Sequence, residues 1–372
     1  MYLINKNIII ISPEAWGVNY VSKHHYSLEL LKRGNRVVFL NPPDKLVFRH
    51  NIINQFKNNN LSIVSSPHLI QGLNRIHFGL RKSFHRLQAK NLLRIINQKV
   101  DIVWSFDPYR LQYLKGFKAK LNIYHAMDDH KSKVEENIVE SADIIFTVSD
   151  LIKEKLSYKG KNCFKVNHGI GDHFISHKKI PIKKITKSGK INVGCVGNLH
   201  YPYLDISTFK QIISENNEVN FFFIGPYENS NLSKIKRNAG FVAYLKERKN
   251  VYLLGSKPSK ELPSYLNQFD LFLICYHSNK KAVNTSNNHK IMEYFSTGKV
   301  VVSHNIDEYK NTKNLVIMAN NNKDLPQLFK EVIKKIKYYN SDDFSVKRID
   351  FASHNTYSHQ LDRINQLISN FG

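Results

Sequence analysis

Short apolar runs that alternate with amphipathic stretches constrain the fold of this chain more than any other feature of its sequence. Residues 8–12 and 36–40 are nearly continuous in β-branched and aromatic side chains, as expected for strands covered on both faces. Helical patterns lie between such runs, for example over residues 20–33, which are followed by Gly34, a suitable helix C-cap. The same reasoning predicts strands at residues 101–106, 121–125, 143–148, 191–196, 220–224, 251–254, 271–275 and 300–303. This alternation predicts an α/β fold with doubly wound parallel sheets.

A basic segment separates two such alternations. Residues 175–190 are rich in lysine, contain no acidic residue and show no periodicity, which is typical of a linker. A chain of 372 residues is also long enough for two domains of similar size. We therefore predict a first domain over residues 1–174 and a second over 191–356. The amphipathic segment 357–372 is predicted to form a helix that packs back on the first domain.

The charge balance limits the class of partner. Lysine and arginine number 55 against 30 acidic residues, which gives a formal net charge of +25. Such a surplus favours an anionic partner, namely nucleic acid, anionic lipid or a phosphorylated substrate. A Lys-, Asn- and Ile-rich composition would also arise from an AT-rich genome without any function, and both interpretations stay open. Because no recognisable nucleic-acid-binding motif accompanies the charge, nucleic acid is the less favoured partner.

The cysteines and the apolar segments indicate where the protein works. Cys163, Cys195 and Cys275 are scattered and show no C-x-x-C spacing, which argues against a disulfide framework and fits a reducing cytoplasm. No segment approaches the roughly 20 apolar residues of a membrane span. The opening segment resembles a first strand rather than a signal peptide. We expect a cytoplasmic protein, with peripheral contact to the inner face of the plasma membrane left open.

The segment 286–302 contains the most informative chemistry. Its pattern predicts a helix that begins near Asn287 or Asn288 and ends at Gly298. Lys290 and Glu293, three residues apart, project from the same side of this helix. A lysine near a helix N-terminus suits phosphate, and a carboxylate can accept hydrogen bonds from ribose hydroxyls. A solvated Lys–Glu pair on an ordinary amphipathic helix is the alternative that the pattern leaves open.

This segment is similar to the P-x-K-x-x-E-Y-x-x-x-G-[KR]-P-V-V block of GT-B glycosyltransferases, including those that build teichuronic acid and other bacterial polysaccharides. The resemblance implies that Lys290 contacts the donor diphosphate and that Glu293 binds the ribose, with His289 beside them. Asn288 and Val300 depart from the block, since both stand where proline is usual, but neither departure removes a ligand. The resemblance implies a GT-B architecture of two Rossmann-like domains with the site in the cleft between them.

Other strand ends agree with this resemblance in order and spacing. Gly197 and Asn198 resemble the G-x-x-G-x turn that opens the C-terminal domain, whose amides approach the donor phosphates. Gly225 resembles the next strand end, and the turn at Gly255 and Ser256 is where the resemblance places the nucleobase. The implied donor is a nucleoside-diphosphate sugar, with UDP favoured.

Carboxylates that follow predicted strands are candidates on the acceptor side. Asp128 and Asp129 come directly after the strand at 121–125, and in related inverting enzymes an aspartate in this region acts as general base. Asp107 follows another strand and is a candidate acceptor-binding residue. Helix capping is the alternative for each of these residues. A metal site formed with His125 and His130 is a weaker alternative, because no distant ligand completes it.

The first strand-to-helix turn supplies the remaining acceptor candidates. It contains Trp16, Gly17 and Asn19, and His25 follows on the first predicted helix. Trp16 could stack on a sugar ring or cover the end of the sheet, and a surface or capping role competes for His25. The turn lacks the G-x-G-x-x-G sequence of a dinucleotide site, which argues against an ordinary NAD enzyme.

Residues 73–94 interleave basic and apolar side chains. A basic amphipathic segment can lie on anionic lipid, which would suit an enzyme whose acceptor is a glycan, either polymeric or linked to polyprenyl diphosphate. A helix packed on its own domain is the alternative. The functional hypothesis is thus a hexosyl-type glycosyl transfer without metal or cofactor. A nucleotide-sugar epimerase of the same fold is its enzymatic rival, and a basic protein that binds nucleic acid or anionic lipid is the alternative from a different class.

Overall fold

Strands and helices alternate along the described chain, which in this computed structural model comprises residues 2–17, 20–44, 51–55, 60–67, 77–130, 133–158, 160–176, 180–186, 189–228, 237–277, 289–312 and 315–371. The strands are β1 (Asn7–Ile11), β2 (Arg36–Leu40), β3 (Asn51–Gln55), β4 (Leu61–Ser65), β5 (Ile102–Ser105), β6 (Leu121–Ala126), β7 (Ile144–Thr147), β8 (Asn162–Lys165), β9 (Asn192–Val196), β10 (Asn220–Ile224), β11 (Val251–Gly255), β12 (Leu271–Ile274), β13 (Val300–Ser303) and β14 (Val316–Met318). The α-helices are α1 (Ser22–Lys32), α2 (Phe78–Ile96), α3 (Lys133–Ser141), α4 (Asp150–Leu156), α5 (Asp172–Ile175), α6 (Ile206–Glu215), α7 (Ala239–Lys246), α8 (Leu262–Leu266), α9 (Lys290–Phe295), α10 (Leu325–Lys334), α11 (Ile336–Tyr339), α12 (Asp342–Ser353) and α13 (Tyr357–Ser369). Short 3-10 helices lie at Leu114–Phe117, Asp307–Tyr309 and Asn322–Asp324.

The chain divides into two units. Unit 1 comprises Met1–Asn167 and Ser358–Gly372, and unit 2 comprises His168–Tyr357. Residues 168–174, which the sequence analysis assigns to the first domain, therefore belong to unit 2. Helix α13 contacts the beginning of the chain within unit 1, where the side-chain oxygen of Asn365 accepts the N–H of Tyr2 at 2.9 Å.

The sheet of unit 1 has the strand order β3-β4-β2-β1-β5-β6-β7-β8. Its described strand pairs are parallel, apart from β3, which runs antiparallel to β4. The central strand β1 pairs with both β2 and β5, and its four isoleucines are each at most 1% exposed. Such a strand needs apolar residues at successive positions because helices cover both of its faces.

The sheet of unit 2 is parallel, with the order β11-β10-β9-β12-β13-β14. Successive residues of β10 alternate between two separate core clusters. Phe221 and Phe223 belong to one cluster, and Phe222 and Ile224 belong to the other. Because side chains alternate across a strand, the two clusters lie on opposite faces of the sheet, which is therefore doubly wound. The predicted fold class of two doubly wound parallel sheets is confirmed.

The described part of the predicted linker 175–190 packs within unit 2. Helix α5 ends at Ile175, and the carbonyl of Ile180 accepts the hydroxyl of Ser264 at 2.5 Å. The N–H of Ile185 donates to the side-chain oxygen of Gln268 at 2.8 Å. These bonds hold the described residues 180–186 beside α8.

Candidate active site

The carboxyl ends of β9, β10 and β11 carry three of the predicted donor-binding glycines, and these turns are packed against one another. The N–H of Gly197 donates to the carbonyl of Ile224 at 2.8 Å, and the N–H of Gly225 donates to the carbonyl of Gly255 at 3.0 Å. Gly225 has a φ of +142°, and a Cβ there would lie 2.0 Å from the carbonyl oxygen of Gly197. Glycine is therefore needed at residue 225 because the two turns approach each other too closely for a side chain.

This packing bears on one expectation from the sequence, which stays a prediction. The amide of Gly197 is predicted to approach the donor phosphates, but its hydrogen already joins the carbonyl of Ile224. A second bond to a phosphate would have to compete with that bond at 2.8 Å. The side-chain oxygen of Asn198 is also engaged, because it accepts the N–H of His200 at 2.9 Å. The amide of Gly197 and the side-chain oxygen of Asn198 thus both have hydrogen-bond partners within the protein.

Helix α9 brings Lys290 to this edge. The Cε of Lys290 lies 3.6 Å from the position that a Cβ on Gly197 would occupy. Tyr294 secures the helix at the end of β9: its hydroxyl accepts the N–H of Val196 at 2.9 Å, and its ring stacks on Phe272 with centroids 4.1 Å apart. The predicted start of this helix, near Asn287 or Asn288, lies outside the described residues. His289 is its first described neighbour, at the N-cap position.

Glu293 lies half-buried on the same helix. Burial raises the pKa of its carboxyl to about 7, because a charged carboxylate loses hydration there, and the nearby charge of Lys290 lowers it only in part. A carboxyl with such a pKa gains from any ligand that donates hydrogen bonds to its ionised form. Lys290 and Glu293, which the sequence analysis places together, are thus in electrostatic contact.

Two aromatic residues that the sequence analysis did not select also lie in this region. The hydroxyl of Tyr276 lies 3.8 Å from the Cβ position of Gly197, and the ring of His168 lies 6.0 Å from that of His289. Tyr276 follows the end of β12, so its position after a strand was the available signal. Ser256, predicted beside the nucleobase, is exposed directly after β11.

The two aspartates predicted as general bases have different surroundings in unit 1. Asp129 binds the ammonium of Lys155 at 2.6 Å, and the same ammonium contacts Glu135 at 3.1 Å. Partial burial lowers the pKa of Lys155, but hydrogen bonds and charge from the two carboxylates outweigh that effect and raise it. Asp129 therefore belongs to a small ion-pair cluster with Lys155 and Glu135. Asp128 is exposed.

Asp107 is held by an internal ion pair. Its carboxylate is bonded to Arg110 at 3.2 Å and accepts the N–H of Tyr109 at 2.9 Å. Arg110 in turn donates to the carbonyls of Ser12 at 2.9 Å and Asn41 at 2.6 Å, beyond the ends of β1 and β2. Asp107 is only 6% exposed. Asp107 thus orients Arg110, which joins the ends of β1 and β2. An acceptor hydroxyl that bound Asp107 would have to displace one of these hydrogen bonds.

The first strand-to-helix turn packs on its own sheet. Trp16 is half-buried, with its ring 4.9 Å from Phe39 and 5.3 Å from His24. His25 is buried, at 8% exposure, and Gly17 is half-buried. This packing agrees with the alternative in which Trp16 covers the end of the sheet. Asn19, the remaining acceptor candidate of this turn, lies outside the described residues.

The described residues were also compared with the arrangements that a metal site and a membrane-spanning helix require. Over the part of the chain that the structure describes, no group of three or more His, Cys, Asp and Glu side chains is arranged to hold a metal ion. The side chains of His125, Asp128, Asp129 and His130, all of which are described, do not form such a group. Within the same described ranges, no helix has both the length and the apolar character needed to cross a membrane.

Comparisons with known proteins agree with this architecture. Residues 190–336 match the model of a family described as glycosyl transferases group 1. No curated protein sequence matches the chain. Among similar solved structures is a trehalose-6-phosphate protein from E. coli bound with UDP-2-fluoro glucose, at 12% identity and a TM-score of 0.70, covering 97% of this chain and 98% of that one.

Two further structures have the same fold. The α,α-trehalose 6-phosphate synthase from Burkholderia multivorans matches at 12% identity and a TM-score of 0.69, with 99% of both chains covered. The Anabaena protein HepE, in complex with UDP and glucose, matches at 12% identity and a TM-score of 0.66, covering 98% of this chain and all of that one. At such identities the likeness shows the fold alone, and the fold is the predicted GT-B architecture of two Rossmann-like domains.

Proposed function

We propose that this protein is a glycosyltransferase that binds a nucleoside-diphosphate sugar on unit 2 and transfers the sugar to a glycan acceptor. The observation that carries the proposal is the position of Lys290 beside Gly197, at the carboxyl edge of the unit 2 sheet, with Glu293 in electrostatic contact with that lysine. In open parallel sheets, ligands bind beyond the carboxyl ends of the strands. The match of residues 190–336 to the glycosyl transferase family model supports the same assignment.

The donor is recognised by charge and by hydrogen bonding. Lys290 neutralises the diphosphate, whose negative charge grows as it departs, and a cation at that position is worth most in the transition state. Glu293 accepts hydrogen bonds from two ribose hydroxyls. UDP is the favoured nucleotide, since two of the similar structures have UDP or a UDP-sugar bound. Neither a resident cofactor nor a metal ion is part of the proposal.

The transfer exchanges one bond at the anomeric carbon for another. The acceptor oxygen bonds to that carbon, the bond to the diphosphate oxygen breaks, and the acceptor hydroxyl loses its proton. In an inverting reaction, Asp128 or Asp129 accepts this proton. In a retaining reaction the departing diphosphate takes the proton, and the aspartates hold the acceptor. We propose a lipid-linked or polymeric surface glycan as the acceptor, which is the class that the 286–302 resemblance implies.

Thermal unfolding in the presence of UDP, GDP, CMP and NAD tests the donor site. A ligand that binds only the native state raises the unfolding midpoint as its concentration increases. We expect UDP to raise the midpoint for the natural protein and to lose this effect in Lys290→Ala. Lys334→Ala, which removes an exposed lysine from α10, is the matched control and should respond like the natural protein.

Two outcomes would count against the proposal. If no nucleotide raises the unfolding midpoint, the proposed donor site is wrong. If UDP raises the midpoint equally in Lys290→Ala and Lys334→Ala, the nucleotide does not bind at Lys290. Release of UDP from a UDP-sugar only when an acceptor glycan is present separates transfer from epimerisation, because an epimerase needs no glycan.

A further inference from the structure

Helix α2 in unit 1 has a continuous apolar stripe that faces solvent. Leu80 and Leu87 are each 64% exposed, and Phe84 between them is 39% exposed. The spacing of four and then three residues places the three side chains on one face of the helix. The opposite face is the buried one and includes Ala89 and Leu92. Exposed apolar residues grouped in this way, rather than scattered singly, indicate a binding surface.

Cations flank this stripe, and α2 contains no acidic residue. Arg86, Lys90 and Arg94 are exposed and follow one another at helical spacing along one edge of the stripe. We define the α2 surface as these three cations together with Leu80, Phe84 and Leu87.

The 3-10 helix Leu114–Phe117 adds positive charge beside α2. This 3-10 helix packs directly on α2, because a Cβ built on Gly116 would lie at ordinary van der Waals distance, 3.4 Å, from the Cα of Arg86. The hydroxyl of Tyr113 accepts a hydrogen bond from Arg86 at 3.2 Å, and this bond, with the charges of Lys82 and Lys115, lowers the pKa of Tyr113. Arg86, Lys82 and Lys115 therefore act together on this hydroxyl.

The combination of charge and apolar area decides which anion fits. Nucleic acid offers a continuous row of phosphates, which suits cations but leaves Leu80, Phe84 and Leu87 against a polar backbone. A lipid surface offers anionic headgroups at its boundary and an apolar layer directly beneath, so it satisfies both sets of side chains. We propose that the α2 surface docks on anionic phospholipid headgroups, with the three apolar side chains entering the headgroup–acyl boundary. This inference stands independently of the glycosyl transfer, although a lipid-linked acceptor would give it a use.

Co-sedimentation with lipid vesicles tests the proposal. We expect the protein to bind vesicles of phosphatidylcholine mixed with phosphatidylglycerol, to bind pure phosphatidylcholine weakly, and to be released by salt. Arg86→Gln and Lys90→Gln should each lower the partition coefficient about fivefold, the effect of about one unit of charge near an anionic surface. Leu80→Ser combined with Leu87→Ser should lower it at least about tenfold, because apolar area no longer leaves water.

Matched variants keep the result interpretable. Leu151→Ser removes an exposed apolar side chain from α4 of the same unit, and Lys334→Gln removes a cation from unit 2; both should bind like the natural protein. Leu87→Cys can be labelled selectively with an environment-sensitive fluorophore, since the native cysteines are buried. Its emission should shift to the blue on mixed vesicles, whereas that of labelled Leu151→Cys should not.

Three results would overturn the proposal. The first is binding to both vesicle types with equal affinity, and the second is unchanged binding by the double serine variant. The third is binding to random-sequence duplex DNA in preference to vesicles, with the serine variant unaffected, which would assign the cations to nucleic acid.

Discussion

Two effects oppose each other at Glu293 in the proposed donor site: burial favours the neutral carboxyl, and ribose binding favours the carboxylate. Its raised pKa means that the empty site holds this carboxyl near half-ionisation at neutral pH. Ribose hydroxyls donate hydrogen bonds and therefore favour the ionised form. Below pH 7, a ligand that binds the carboxylate form can do so only after Glu293 loses its proton. Above pH 7, the carboxylate is already present, so the affinity for such a ligand depends on pH.

We predict that the affinity for UDP-glucose rises with pH. Since the pKa of Glu293 in the empty site is about 7, the ionised fraction grows about tenfold between pH 6 and pH 8, and the association constant should follow it. Titration calorimetry at several pH values measures this dependence. Glu293→Gln should bind more weakly and without that slope, whereas Glu247→Gln, at an exposed position, should keep it. Affinity that falls as pH rises would contradict the assigned role of Glu293.

Some contacts of the candidate site could be predicted from the sequence, and others could not. Lys290 and Glu293 could be placed together because helical spacing alone puts residues three apart on one side. The bond from Gly197 to Ile224 could not be foreseen, because a sequence does not tell which strand-end amides neighbouring turns consume. Asp107 looked like a cleft carboxylate for a similar reason: its partner Arg110 is close in sequence, but the carbonyls that Arg110 binds belong to other strands.

At the scale of elements, the central strands were predictable and several outer ones were not. β1, β2, β5 and β9 have neighbours on both sides, and their unbroken apolar runs reflect that burial. The strands that the sequence analysis did not predict are β3, β4, β8 and β14. Three of them lie at sheet edges, whereas β4 lies between β3 and β2; the edge strand β11 was predicted. Polar residues interrupt the apolar runs of β3, β4 and β8, and β14 has only 3 residues, so the pattern that reveals a buried strand is missing from all four.

The close packing of the turns after β9 and β10 predicts how a substitution there changes the stability of unit 2. A Cβ on Gly225 would meet the carbonyl oxygen of Gly197 at 2.0 Å, so Gly225→Ala must push the turns after β9 and β10 apart. We expect a loss of about 1–3 kcal/mol in the free energy of unfolding of unit 2, the usual cost of overpacking, together with weaker nucleotide binding. Urea denaturation and the UDP-induced rise in the unfolding midpoint measure the two effects.

Gly240→Ala is the control for this substitution. Gly240 lies in α7, and a Cβ there meets nothing within 4 Å. Alanine favours a helix over glycine by up to about 1 kcal/mol, so this variant should be neutral or more stable. If the two variants behave alike, the close approach of the turns does not matter for unit 2.

At the scale of the whole molecule, the two units carry different buried titratable groups. In unit 1, burial lowers the pKa of His24 and that of His85 to about 4. In unit 2, burial lowers the pKa of His304 to about 4 and raises that of Glu293 to about 7. His24 and His85 in unit 1 thus titrate in the same sense, whereas His304 and Glu293 in unit 2 titrate in opposite senses.

These differences predict that acid destabilises unit 1 more than unit 2. A histidine with a lowered pKa stays neutral in the folded state but is protonated in the unfolded state below pH 6.5, so its contribution to stability is lost as pH falls towards 4. Between pH 7 and pH 5 each such histidine costs about 2 kcal/mol. Glu293 behaves oppositely, because the folded state holds its proton more tightly than the unfolded state. Acidification therefore adds about 2 kcal/mol to the free energy of unfolding of unit 2, which offsets the loss caused by His304.

Hydrogen exchange followed by mass spectrometry can measure this difference, because its peptides report each unit separately. Unit 1 should lose about 4 kcal/mol of opening free energy between pH 7 and pH 5, and unit 2 should change little. Glu293→Gln should remove the compensation and make unit 2 as acid-sensitive as His304 alone dictates, while His85→Gln should halve the loss in unit 1. Equal losses in the two units of the natural protein would contradict the prediction. In that case, the buried histidines and Glu293 would not control the response of this chain to acid.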